Sequence, residues 1–129
     1  MSEEKNKKKI LLVEDDSFVM DIYQTKLSQS GYDVVGADNG LEALKKIEKN
    51  TFDLMLLDIV MPYMDGLEVL KKVKSDEKNK NLPIILLTNL SQKEEVDKGL
   101  KLGASDYLIK SHFTPSEVLE KIKGYLEKE

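Results

Sequence analysis

Five short apolar runs alternate with five longer segments whose apolar residues recur at helical spacing. Runs of consecutive hydrophobic residues are typical of strands that are buried on both faces. Strands that alternate with helices through short connections form a parallel sheet with helices on both sides. The apolar runs occupy residues 9–14, 32–37, 52–57, 82–87 and 105–109. We therefore predict an α/β fold with a doubly wound, five-stranded parallel sheet and five helices.

Capping residues mark several of the predicted helix ends. Asp65 is a candidate N-cap for the third helix, and residues 91–94 have the spacing of a capping box before the fourth. Residues 114–117 form a second capping box, with proline at the first helical position. Gly31 and Gly103 are candidate helix ends. The flavodoxin-like strand order 2-1-3-4-5 would place the first and third strands side by side at the switch point.

Composition limits the possible functions. The chain has 129 residues, which suits one domain, and its net charge of −4 argues against direct nucleic-acid binding. It has no cysteine and one histidine, so cysteine or polyhistidine zinc sites are excluded within one chain. No segment has the length of a signal peptide or a membrane span, and we expect a cytoplasmic protein without membrane contact. We predict a basic N-terminal arm at residues 1–8 and one folded domain at residues 9–129.

Polar side chains follow four of the five predicted strands. Ligands of open α/β sheets bind at the carboxyl ends of the strands, so these side chains should lie at one edge. Asp58 is central among them because it ends the third strand alone. The four strand ends carry Asp15 with Asp16, Asp58, Thr88 and Lys110.

Three carboxylates at one edge repel one another unless they keep their protons or hold a cation. Oxygen ligands without histidine or cysteine favour Mg²⁺, which also binds phosphate oxygens. Lys110 could pair with a phosphoryl group and Thr88 could donate a hydrogen bond to it. Asp58 is the candidate nucleophile, since an aspartate can form an acyl phosphate. Asp15 and Asp16 are the candidates for holding the ion.

The chain resembles the receiver domain of two-component response regulators, especially the chemotaxis-type proteins that consist of this domain alone. The resemblance extends over roughly residues 8–126. It rests on Asp15-Asp16, Asp58 in LLDIVMPYMDG, Thr88 in ILLTN, and Tyr107 with Lys110 in GASDYLIK.

The resemblance implies that Asp58 accepts a phosphoryl group from a sensor histidine kinase or a histidine phosphotransfer protein. Asp16 and Asp58 would bind Mg²⁺ directly together with the backbone carbonyl of Val60, and Asp15 would act through water.

Lys110 would pair with the phosphoryl group, while Thr88 and Tyr107 would act as the switch. The fourth helix, fifth strand and fifth helix would then dock an unknown downstream protein. By this resemblance, the protein would catalyse only its own phosphorylation and slow dephosphorylation and would not otherwise be an enzyme. We expect a monomer or a weak dimer.

One departure from the family pattern lies beside the site. Ser111 follows Lys110 where the family usually has proline, often after a cis peptide bond. A trans bond is the simpler expectation, because a cis bond before serine would cost about 3–4 kcal/mol. A cis bond stays open at this point.

Three other functions remain as alternatives. A Mg²⁺-dependent phosphatase of the haloacid dehalogenase type uses an aspartate with a second acid two positions on, whereas Asp58 is followed by Ile59 and Val60. A flavin-binding protein should have a phosphate cradle after its first strand, where this chain has acids. A scaffold that takes no phosphate is the third, supported by Ser111 and Asn89.

Overall fold

The computed structural model describes residues 7–88 and 93–127, and it has the predicted α/β architecture. The five strands are β1 Lys9–Val13, β2 Asp33–Ala37, β3 Leu54–Asp58, β4 Ile84–Thr88 and β5 Asp106–Ile109. The five α-helices of the described residues are α1 Ser17–Gln29, α2 Gly40–Lys49, α3 Gly66–Lys74, α4 Lys93–Lys101 and α5 Pro115–Leu126. Short 3-10 helices span Glu77–Asn79 and Lys110–His112.

The sheet is parallel, and its strand order β2-β1-β3-β4-β5 confirms the predicted doubly wound topology. Neighbouring strands end at nearly the same level. Val13 pairs with Leu57, Asp58 with Leu87, and Thr88 with Ile109. The residues that end β1, β3, β4 and β5 therefore share one edge of the sheet.

Alternating side chains of the strands build a separate core on each face of the sheet. On one face, Leu11, Met55 and Leu86 pack with residues of α2, α3 and α4. On the other, residues such as Leu12 and Leu56 pack with α1 and α5. Burial on both faces explains why the strands appear as continuous apolar runs in the sequence.

The helix ends follow the capping signals where the structure describes them. Asp65 accepts a hydrogen bond from the Glu68 N–H at the start of α3. Thr114 and Glu117 form a reciprocal capping box at the start of α5. The predicted capping box that starts at Ser91 lies outside the described residues, as do Asn89 and residues 1–6 of the predicted basic arm.

Within residues 7–88 and 93–127, no helix has both the length and the apolar character needed to cross a membrane.

Candidate functional site

Three carboxylates meet at the edge where the strands end. One oxygen each of Glu14, Asp15 and Asp58 lies within 4.8 Å of the others. Glu14 and Asp15 directly follow β1, and Asp58 is the last residue of β3. Since β1 and β3 are neighbours in the sheet, their strand ends bring the three acids together.

Asp58 lies at the bottom of this cluster with only 5% of its surface exposed. Its Oδ2 is 3.1 Å from the Lys110 Nζ, which donates a hydrogen bond to it. Its Oδ1 accepts a hydrogen bond of 3.3 Å from the backbone N–H of Val60. The structure thus brings together Asp58 and Lys110 from distant parts of the chain.

Glu14 belongs to this cluster although it was not among the predicted site residues. It is 1% exposed, and its Oε1 lies 3.0 Å from the Lys110 Nζ. This contact is an ion pair without favourable hydrogen-bond geometry, so the buried Oε1 accepts no hydrogen bond from the described residues. Its Oε2 accepts one from the backbone N–H of Asp16.

Asp16 occupies a different place from the one predicted. Its Oδ1 accepts hydrogen bonds of 2.9 Å and 3.2 Å from the backbone N–H groups of Phe18 and Val19, so Asp16 is the N-cap of α1. In the structure, the acid pair beside Asp58 therefore lies one position earlier than the predicted pair of Asp15 and Asp16. Glu14 and Asp15 form the pair that adjoins Asp58, because β1 ends at Val13.

The charges of the site perturb its ionisable groups. Burial raises the pKa of Asp58 to about 7, with the Glu14 carboxylate adding to the increase and Lys110 opposing it. Burial would lower the pKa of Lys110, but the negative charges of Asp58 and Glu14, together with the hydrogen bond to Asp58, outweigh it, and the pKa is raised. A single lysine therefore does not fully compensate the buried carboxylates, and the site favours a further cation.

Thr88 ends β4 and is buried, with 1% of its surface exposed. Tyr107 lies in β5 opposite Leu86, on the same face of the sheet as Thr88. Its side chain is 40% exposed, so Tyr107 is turned partly towards solvent. The peptide bond between Lys110 and Ser111 is trans, which resolves the alternative left open by the sequence.

Comparisons with known proteins agree with this geometry. Residues 10–123 match the family model of the response regulator receiver domain. The chain is 43% identical over 123 residues to the alkaline phosphatase synthesis transcriptional regulatory protein PhoP of Bacillus subtilis, covering 94% of this chain and 49% of PhoP. It is 41% identical over 120 residues to the chemotaxis protein CheY1 of Helicobacter pylori, covering 92% of this chain and 96% of CheY1.

The chain spans about half the length of PhoP and of the other transcriptional regulators that it matches. Among solved structures, a CheY-like receiver domain protein from Methanospirillum hungatei superposes with a TM-score of 0.88 at 35% identity, covering 95% of both chains. The receiver domain of the sensor histidine kinase PA1611 from Pseudomonas aeruginosa, solved with a magnesium ion in its active site cleft, has a TM-score of 0.85 at 27% identity. That match covers 95% of this chain and 99% of the other.

Proposed function

Because this chain belongs to the response regulator receiver domains, which act in phosphorelay signal transduction, we propose that Asp58 is its phosphoryl acceptor. The observation that carries the proposal is the position of Asp58, buried between two acids and a lysine at the carboxyl edge of the sheet. A carboxylate oxygen of Asp58 forms a bond to phosphorus while the bond from phosphorus to the donor breaks. The donor is a phosphohistidine of a sensor histidine kinase or a histidine phosphotransfer protein, and its released imidazole nitrogen takes up a proton.

The residues of the acidic cluster fit a magnesium ion. Glu14, Asp15 and Asp58 offer only oxygen ligands, the type that Mg²⁺ prefers. The buried Glu14 Oε1, which accepts no hydrogen bond from the described residues, and the raised pKa of Asp58 both indicate a place where positive charge is favourable. We assign the ion to these three residues, with Glu14 in place of Asp16, and retain the Val60 carbonyl as a predicted ligand. Bound Mg²⁺ supplies positive charge to the phosphoryl oxygens.

Lys110 and Thr88 complete the proposed phosphorylation site. The Lys110 ammonium holds Asp58 in place before the reaction and pairs with the added phosphoryl group afterwards. Thr88 moves its hydroxyl towards the phosphoryl oxygens, and Tyr107 turns inward from its partly exposed position. The added charge of roughly −1.5 to −2 at neutral pH drives this change.

The switch alters the surface formed by α4, β5 and α5, which we propose as the docking face for a downstream protein. In this proposal the chain catalyses only its own phosphorylation and slow dephosphorylation and turns over no other substrate. The family match and the relatives support phosphorelay signalling rather than the phosphatase alternative.

Intact-mass measurement after incubation with acetyl phosphate tests this function. With Mg²⁺ present, the protein should gain the mass of one phosphoryl group, and addition of a chelator should prevent the gain. The Asp58→Asn variant should stay unmodified although its fold is unchanged. Turnover of phosphomonoesters that depends on Asp58 would instead favour the phosphatase alternative.

A further inference from the structure

Gly66, the first residue of α3, has no room for a side chain. A Cβ built on it would overlap the carbonyl oxygen of Asp58 and would lie 2.8 Å from the Ile59 Cα and 3.0 Å from the Asp58 carbonyl carbon. These neighbours are backbone atoms, so they cannot turn aside as the end of a flexible side chain could. The start of α3 is therefore packed directly against the backbone of the proposed phosphoryl acceptor.

The backbone conformation of Gly66 does not explain why this residue is glycine. Among the glycines of the chain, a positive φ occurs at Gly31 and Gly103 and not at Gly66. Alanine could adopt the backbone of Gly66, and it has the better helix propensity. The closeness of the Asp58 backbone is what excludes a larger residue at position 66.

One peptide group connects Gly66 to the carboxylate of Asp58. The N–H of Gly66 donates a hydrogen bond of 2.6 Å to the carbonyl of Ile59. The N–H of the same peptide group belongs to Val60, and it donates a hydrogen bond of 3.3 Å to the Asp58 Oδ1. Because a peptide group is planar, a bond that holds its carbonyl also sets the direction of its N–H. Gly66 is thereby linked to the orientation of the Asp58 carboxylate.

The side chain of Val60 gives this peptide group little support. Ile59 and Met61 are buried in the core, with 2% and 8% of their surfaces exposed, whereas Val60 is 56% exposed. The orientation of the peptide group between Ile59 and Val60 therefore depends on its two backbone hydrogen bonds. The next carbonyl along the chain, that of Val60, is the predicted metal ligand.

We propose that Gly66 is a positioning residue of the phosphorylation site. It holds the Ile59–Val60 peptide group, and with it the Asp58 carboxylate and the Val60 carbonyl, in the orientation that Mg²⁺ binding and phosphoryl transfer require. Gly66 touches no reacting atom and acts through this peptide group. The inference rests on the proposed phosphorylation of Asp58.

A pair of neighbouring substitutions tests this role. Gly66→Ala should displace the Asp58 backbone and weaken Mg²⁺ binding about tenfold. At saturating Mg²⁺ it should still slow phosphorylation by acetyl phosphate at least about tenfold, because misplacing a reacting group by about 1 Å can cost about 100-fold in rate.

Asp65→Ala is the matched control. It removes the N-cap hydrogen bond to the Glu68 N–H and so weakens the same helix start, but it adds no atom beside Asp58. Mg²⁺ affinity and the phosphorylation rate should each change less than about twofold in this variant. Urea denaturation of both variants gives their stabilities, so that a loss of function is separated from a loss of fold.

A measurement on the wild-type protein needs no change at position 66. Gly66 is the one glycine of the sequence that follows an aspartate, so cell-free labelling with ¹³C-aspartate and ¹⁵N-glycine isolates its amide resonance. Addition of Mg²⁺ should shift the Gly66 amide proton, because linked hydrogen bonds polarise one another. Gly40, the one glycine after an asparagine, packs against Met64 of the same loop and should shift less.

Equal effects of Gly66→Ala and Asp65→Ala on affinity and rate, or wild-type values for Gly66→Ala, would overturn the inference. If Gly66→Ala does not fold, the wild-type spectrum decides, and a Gly66 resonance that moves no more than that of Gly40 would overturn it. In each of these cases wild-type protein still takes up phosphate and the proposed function stands. If wild-type protein takes up none, the proposed function itself fails.

Discussion

Asp15 and Asp16 are adjacent acids with different tasks in the structure. Asp15 belongs to the cluster around Asp58, whereas Asp16 accepts hydrogen bonds from the first turn of α1. Replacing an N-cap aspartate by alanine typically costs about 0.5–2 kcal/mol of stability. We therefore expect Asp16→Ala to lower the free energy of unfolding by that amount while Mg²⁺ affinity changes little.

Asp15→Asn should show the opposite pattern. Loss of a carboxylate from the cluster should weaken Mg²⁺ binding by at least about tenfold, because even residues that only support metal ligands have effects of that size. Urea denaturation and Mg²⁺ titration of both variants check the assignment. A larger loss of Mg²⁺ affinity in Asp16→Ala than in Asp15→Asn would restore Asp16 as the metal-binding residue.

Tyr63 has a strained backbone in the loop between β3 and α3. Its φ is 71°, and the N–H of Met64 donates to the carbonyl of Pro62 across it, as in a γ-turn with a positive φ. The side chain is 85% exposed, so its removal loses little packing.

Glycine at this position should relieve the strain, although it also increases the conformational entropy of the unfolded chain. The net effect should be a rise in the free energy of unfolding of about 0.5–1 kcal/mol. Tyr63→Ala is the control, since alanine keeps the Cβ that disfavours this conformation. Equal stabilities of the two variants in urea would show that the loop is not strained.

The residues of the site were predictable to different degrees. Asp58, Thr88 and Lys110 stand alone at their strand ends, so the sequence places each without ambiguity. Glu14, Asp15 and Asp16 form a run, and their roles depend on where β1 ends and α1 begins. A local signal distinguishes Asp16 from the other two acids: it directly precedes Ser17, where α1 begins, and aspartate is a preferred N-cap.

Gly99 shows how one glycine sets the distance between a helix and the sheet. A Cβ on Gly99 in α4 would lie 2.4 Å from the Leu86 Cδ1 in β4. Gly99→Ala should therefore force the helix or the leucine to move and cost about 1–3 kcal/mol. Gly124 in α5 is the matched control, because nothing lies within 4 Å of its added Cβ.

In Gly124→Ala the better helix propensity of alanine should stabilise the protein by about 0.5–1 kcal/mol. The two alanine variants should thus shift the urea midpoint in opposite directions. A stabilising effect of Gly99→Ala would mean that α4 is not held tightly against β4.

The elements themselves followed closely from the sequence. Fully buried parallel strands appear as apolar runs, and all five predicted strands differ from the observed ones by two residues or fewer at either end. The region between Thr88 and Lys93 could not be compared, since it lies outside the described residues.

At the scale of the whole molecule, the site makes stability depend on pH. The Asp58 carboxyl has a pKa of about 7 in the folded protein and an ordinary value of 3.8. The folded state therefore binds this proton more tightly than the unfolded state does. On account of this group, the free energy of unfolding should fall as pH rises from about 4 to about 7 without Mg²⁺, and stay level above that range.

Asp58→Asn should remove this slope, so its stability advantage over the wild type should grow through the same pH window. Mg²⁺ should restore wild-type stability most strongly near and above neutral pH, where Asp58 is ionised. Thermal unfolding of both proteins across the range gives the comparison. Parallel curves would show that the Asp58 pKa is not raised by the fold.

The most direct test of the whole account is chemical mapping of the phosphorylated residue. Borohydride reduces an aspartyl phosphate to homoserine, which peptide mass spectrometry can locate after treatment with acetyl phosphate and Mg²⁺. We predict homoserine at position 58 and nowhere else, in an amount that falls when a chelator is present. Homoserine at another acid, or a phosphoryl group that survives borohydride treatment, would contradict the assignment of Asp58 as the acceptor.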